Sequence, residues 1–171
     1  HNTDLRQLRK NELQQDYIKE QIGKLDRIFA LHEEQKNMIC EMFKMPEEKV
    51  IVSGMGYNSH IFHDLHIRKE SEQTKIIFVG KISEKKGVES LIKSLSYLPY
   101  AHDKIEVCLA GGAGNEEEYE RIVALAANAP YKVKLLGKLT QTELAKVYNE
   151  CDIFALPSFS EGLPLTVIEA L

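Results

Sequence analysis

The chain has no run of about 20 apolar residues, the length a membrane-spanning helix needs. It also lacks the basic, apolar and small-residue succession of a secretory signal. Cysteine is scarce: Cys40, Cys108 and Cys151 are scattered, odd in number and never arranged as C-x-x-C. That argues against a disulfide framework and points to reduced, mostly buried thiols in a cytosolic protein. No internal repeat or low-complexity tract occurs. Neither charge dominates, and a net charge of -4 over 171 residues argues against general electrostatic binding to nucleic acid. What is there is 43% hydrophobic residues, enough for a sizeable core. The length suits one domain or parts of two. The chain begins at His1 and stops at Leu171 inside an apolar run with no capping Gly or Asn, ends that read as those of a piece of a longer protein.

Apolar spacing predicts helices over residues 4–23 and 32–43, with strands at 27–31 and 49–52. Pro46 is the expected stop for the second helix. The stretch 61–74 is polar, lacks strong periodicity and reads as a linker between a first region (1–60) and a second (75–171). The second region is regular. Strands are expected at 75–79, 104–110, 131–136 and 152–156, and helices at 88–98, 116–128 and 141–149, with Thr140 as an N-cap. Strands alternating with helices through short glycine-bearing loops imply an α/β protein with a Rossmann-like, doubly wound parallel sheet.

In such a sheet the loops after the strands converge on one edge, where ligands bind. Four loops would meet there. They carry Gly80-Lys81 with Lys86-Gly87, then Gly111 to Gly114, then Gly137-Lys138-Leu139, and last Ser158, Glu161 and Gly162. Glu161 and Glu169 lie eight residues apart across the final strand-to-helix junction. Backbone N–H groups at a helix start suit phosphate, and carboxylates suit sugar hydroxyls, so the pairing points to a nucleotide-sugar site. Bland readings stand beside these. Glu161 suits a helix dipole, Glu169 a solvated helix face, and Lys81 and Lys86 an ordinary surface loop. Gly112-x-Gly114 begins a dinucleotide fingerprint, but Glu117 occupies its third glycine position and it follows the second strand of the unit rather than the first. His60, His63 and His66 recur every third residue around Asp64, a spacing able to hold a metal on a helix. The interleaved Ile61, Phe62, Leu65 and Ile67 favour packing against a domain instead.

In order, Phe78-Val-Gly-Lys81 with Lys86-Gly87, Leu109-Ala-Gly111, Leu136-Gly137, Cys151-Asp-Ile-Phe-Ala-Leu-Pro157-Ser158 and the pair Glu161 and Glu169 resemble the retaining glycosyltransferases of family 4, which have the GT-B fold. Asp26 to Leu31 and Pro46 to Val52 resemble the end of that family's acceptor-side domain, and His1-Asn-Thr-Asp resembles its His-Gly-Thr loop. The resemblance implies an acceptor-side Rossmann-like domain ending in residues 1–60 and a truncated donor domain in 75–171. It implies transfer of a hexose from a nucleotide diphosphate sugar to a glycan or lipid-linked acceptor, with retention, in polysaccharide biosynthesis. Lys81 and Lys86 would neutralise the diphosphate. Glu161 would meet the hexose, Glu169 the ribose hydroxyls, and His1 the donor sugar and acceptor. Gly80, Gly162, Leu163 and Leu165 would approach phosphate or sugar through their backbones. Gly137 and Leu139 lie where the family's loop holds the base. No Asp-x-Asp occurs, so no metal or other cofactor is expected. The expected setting is cytoplasmic, extending to the cytoplasmic face of a membrane through peripheral contacts outside these residues. The isolated chain is expected to be inactive. A nucleotide-sugar epimerase or phosphorylase on the same fold and a non-catalytic nucleotide-sugar-binding module remain alternatives. The chain departs from the family's pattern in places. Lys81 replaces the usual Arg and loses its bidentate fork, Asn2 replaces a glycine, Pro164 lacks an N–H, and Gly111 to Gly114 replaces Gly-Asp-Gly-Pro.

Overall fold

The computed structural model describes residues 10, 12–68, 70–99 and 102–171. They fall into two compact units, His1–Gly56 and Tyr57–Leu171. His1, and residues 4–9 and 11 of the expected first helix, lie outside the described residues.

In the first unit, helix α1 (Glu12–Gly23) packs Ile18 and Ile22 onto a small core and leaves Tyr17 exposed. Strand β1 (Ile28–Ala30) and strand β2 (Val50–Val52) pair in parallel, Ile28 opposite Val50. Helix α2 (Glu33–Phe43) buries Ile39 and Phe43 in the same core. It ends before the proline expected to stop it, because Lys44 turns left-handed at φ 54 and its N–H bonds back to the Cys40 carbonyl.

The second unit carries a four-stranded, all-parallel sheet in the order β5-β4-β3-β6. Its elements are β3 (Thr74–Val79), α3 (Val88–Ser96), β4 (Ile105–Ala110), α4 (Glu116–Ala127), β5 (Lys132–Gly137), α5 (Gln141–Glu150), β6 (Ile153–Phe154) and α6 (Leu165–Ala170). Side chains alternate between the two faces, as strand geometry requires. Ile76, Phe78, Val107 and Leu109 pack under α3 and α4 with Val88, Ile92 and Ile122. Ile77, Val79, Cys108 and Ala110 pack on the other face under Leu144 and Val147 of α5. Strands covered on both faces are why β3 and β4 read as near-continuous apolar runs. Caps fix where the helices start. Asn115 accepts from the Glu118 N–H, and Thr140 and Glu143 form a reciprocal capping box.

Residues 57–68 carry little regular structure but are fastened to the second unit. Phe62 is buried and meets the Tyr148 ring edge-on, at 6.1 Å between centroids. Asn149 of α5 accepts from the Leu65 N–H and donates to the His63 carbonyl, and Arg68 pairs with Asp152. Among the described residues no group of three or more His, Cys, Asp or Glu could hold a metal, the His60, His63 and His66 series included.

Candidate functional site

The sheet changes winding direction between β3 and β6, the switch point at whose strand carboxyl ends α/β proteins bind ligands. Three of the four loops at this edge are laced together by their backbones. The Gly80 N–H donates to Ala110, Gly111 N–H to Gly137, Ile82 N–H to Gly112, and Gly114 N–H back to Ile82. The Gly111 to Gly114 run is glycine-rich because its neighbours leave no room. A Cβ on Gly111, at φ 147, would lie 1.8 Å from the Gly80 carbonyl oxygen. One on Gly112 would lie 2.5 Å from Lys138 Cε, and one on Gly114 would lie 3.1 Å from Lys81 Cδ. The stems of Lys81 and Lys138 therefore lie against the same loop. Neither lysine has an ion-pair partner among the described residues.

The fourth loop is drawn to the first across this switch point. After β3 the chain makes a single 3-10 turn, Glu84–Lys86, that ends on Gly87 at φ 67. Gly87 abuts the loop after β6 so closely that a Cβ would lie 2.1 Å from the Pro157 carbonyl oxygen. The Phe159 N–H donates to the Lys85 carbonyl at 3.0 Å. These contacts bring Lys86 Nζ to 2.5 Å from Glu161 Oε1, with only 29% and 24% of the two side chains exposed. Burial pushes the Glu161 carboxyl up, but Lys86 and Ser158 beside it outweigh that and hold its pKa below the usual carboxylate value. Glu161 is thus an anion at neutral pH.

The remaining predicted residues lie on the loops and the helix that follow the strands. Gly80 and Gly137 occupy the ends of β3 and β5 in positive-φ conformations, 157 and 66. Leu139 is half-buried and packs its side chain against the sheet face that α5 covers. Pro164 caps α6, which makes Leu165 its first residue and leaves Gly162 and Leu163 in the turn ahead of the helix. Glu169 sits near the end of α6 without an ion-pair partner among the described residues. It lines a cavity of about 740 Å³ together with Phe62, His63, Tyr148 and Asn149. Burial raises its pKa above the usual value. The two acids of the motif therefore stand in opposite electrostatic surroundings. Lys138 joins the edge without having been expected as a site residue. The signal available was a lysine flanked by Gly137 and Leu139, in a loop that sequence alone assigns to the edge.

The family described as Glycosyl transferases group 1 matches residues 63–171. An uncharacterized glycosyltransferase of Methanocaldococcus jannaschii is 25% identical over 156 residues, 85% of this chain and 40% of that protein. The amylovoran biosynthesis glycosyltransferase AmsK of Erwinia amylovora is 30% identical over 133 residues, 74% of this chain and 32% of that protein. The chain thus spans two fifths or less of the length of these relatives. Among solved structures, a glycosyltransferase from Rickettsia africae superposes with a TM-score of 0.78 at 20% identity, covering 94% of this chain and 45% of that one. Anabaena HepE, solved in complex with UDP and glucose, superposes with a TM-score of 0.66 at 15% identity, over 85% of this chain and 41% of that one. These likenesses show the expected GT-B-type, Rossmann-like α/β fold.

Proposed function

The chain belongs to the glycosyl transferases group 1 family, and from that premise we propose that the intact protein is a retaining glycosyltransferase of family 4. It moves a hexose from a nucleotide diphosphate sugar to a glycan or lipid-linked acceptor. The setting we propose is polysaccharide assembly at the cytoplasmic side of a membrane; the relative AmsK is named for amylovoran biosynthesis. No helix among the described residues is long and apolar enough to cross a membrane.

The observation that carries this reading is the Lys86–Glu161 pair at the winding switch of a parallel sheet. In the transfer, the bond between the anomeric carbon and the diphosphate oxygen breaks, and a bond from that carbon to the acceptor oxygen forms. The acceptor's proton passes to the departing diphosphate on the same face, so no enzymatic nucleophile is required and the two-carboxylate logic of glycosidases does not apply. Negative charge develops on the leaving diphosphate. Lys81 and Lys86 stabilise it in this reading, and preorganised charge of this kind contributes roughly 3 kcal/mol per donor in other enzymes. Glu161, held ionised, accepts hydrogen bonds from hexose hydroxyls and balances positive charge on the transferring sugar. Glu169 accepts from the ribose, and the backbones of Gly80, Gly137, Leu139, Gly162, Leu163 and Leu165 approach the nucleotide and sugar. His1 acts on the acceptor side. The site uses no metal.

A thermal-shift series of the full-length protein against UDP-, GDP- and ADP-sugars tests the reading. One donor at about 100 times its Kd should stabilise the folded state by roughly 2.7 kcal/mol. Donor binding with neither transfer nor hydrolysis would make the protein a binding module instead.

A further inference from the structure

Lys138 lies at this edge, yet neither the family pattern nor the function above gives it a role. Lys138 is exposed, but its stem is held against the neighbouring loop. Its stem lies across Gly112, where an added Cβ would meet Cε at 2.5 Å and Cγ at 3.2 Å. Gly112 is not in a positive-φ conformation, so backbone geometry does not demand glycine there. What the missing side chain provides is the groove that holds Lys138. Two residues on, a Cβ added at Gly114 would meet Ser83 Cβ at 2.9 Å, the Ile82 carbonyl oxygen at 3.0 Å and Lys81 Cδ at 3.1 Å, so the Lys81 stem also lies against this loop. One loop therefore seats two lysine stems, and neither ammonium has an acidic partner among the described residues. Unpaired cations held at a sheet edge raise the local concentration of anions and favour their binding.

We propose that Lys138 is a further donor-binding residue, which with Lys81 takes up the charge of the nucleoside diphosphate, and that Gly112 is its positioning residue. The proposal rests on the nucleotide-sugar reading and adds to it a contact specific to this chain. It is tested in the full-length protein by titrating UDP, GDP and ADP, and the nucleoside matching whichever binds. Lys138→Ala should weaken the diphosphate about tenfold or more, the scale of a lost hydrogen bond to a charged group, and leave the nucleoside unchanged. Lys138→Arg should recover most of the loss. Gly112→Ala clashes only with a flexible side chain, so the fold should survive while Lys138 shifts. Its loss should approach that of Lys138→Ala, and the double variant should be no worse than either. Unchanged diphosphate affinity in Lys138→Ala, or equal weakening of diphosphate and nucleoside, overturns the role of Lys138. Wild-type affinity in Gly112→Ala overturns that of Gly112. Failure of the wild type to bind any of the three diphosphates overturns the nucleotide-sugar reading itself, and this proposal with it.

Discussion

Replacing Gly87 by alanine should separate the two halves of the candidate site. Gly87 sits at φ 67, and a Cβ there would lie 2.1 Å from the Pro157 carbonyl oxygen and 2.9 Å from its carbon. The left-handed conformation alone costs a non-glycine residue about 1–2 kcal/mol. The overlap is with backbone, so relief requires the loops after β3 and β6 to move apart. Overpacking of that kind costs roughly 1–3 kcal/mol. Movement also threatens the Phe159 N–H bond to Lys85 at 3.0 Å, a further ~1 kcal/mol. Together these come to about 3–6 kcal/mol.

Gly137→Ala is the control. Its φ is 66, nearly that of Gly87, but nothing lies within 4 Å of its added Cβ. It should cost about 1–2 kcal/mol, from the dihedral alone. Urea unfolding followed by circular dichroism would compare the two. In the full-length protein Gly87→Ala should also weaken donor binding, because the same loops hold Lys86 against Glu161. If Gly87→Ala is no more destabilising than Gly137→Ala, the close approach of the loops does not exist as described.

The regular elements were legible because their causes are local. Leu91, Ile92 and Leu95 announce α3 by helical spacing, and the apolar stretch Ile76 to Val79 announces a strand covered on both faces. Thr140 with Glu143 announces the start of α5. Where the expectation differed, the cause was non-local or lay outside the residue-type rules. Lys44 ends α2 in a left-handed turn that the Gly-or-Asn rule does not anticipate. Strand β6 was expected over 152–156 but spans Ile153–Phe154, since it pairs with β3 only at Ile76 and Ile77 before the chain bends toward Pro157.

At the site, the residue types were readable and their contacts were not. The Lys86–Glu161 pair joins residues 75 apart in sequence, and only the order of the strands brings them together. The Gly111 to Gly114 run departs from the family pattern, and no local rule says why. The surroundings supply a reason: a side chain at Gly112 would meet Lys138, and one at Gly114 would meet Ser83, the Ile82 carbonyl and Lys81. The anchoring of residues 57–68 by Asn149 is invisible for the same reason, its side-chain amide reaching residues 84 and 86 positions away.

Three further outcomes follow from the charges. Glu161→Gln, tested in the full-length protein, should lower kcat by about two orders of magnitude or more, the scale of losing a charged group at a reacting centre, and should cost about 1 kcal/mol of stability because Lys86 loses its ion-pair partner. Unchanged turnover would remove Glu161 from the chemistry. On β4, buried Glu106 is paired with both Lys132 and Lys134 at 2.8 and 2.7 Å. Burial raises its pKa, and the two lysines more than offset this. Its contribution to stability is therefore present above the ordinary carboxylate range and lost as the pH falls through its depressed folded value. Replacing both lysines by methionine should cost about 3 kcal/mol at pH 7, the low end for stranding a buried carboxylate, and wild-type stability in urea would contradict it. Glu169 runs the other way. Burial raises its pKa, so the ionised form opposes folding at neutral pH and that opposition is relieved as the pH falls toward 4.5. Ribose hydroxyls donating to Glu169 would favour the ionised form and lower its pKa. Nucleotide binding must then release a proton over the range in which free Glu169 titrates. Affinity for the nucleoside diphosphate should rise with pH above 4.5 and level off once Glu169 is ionised in the free protein. Glu169→Gln should bind more weakly at neutral pH and lose this dependence while gaining roughly 0.5 kcal/mol of stability. A pH dependence that persists in the variant would place the titrating group elsewhere.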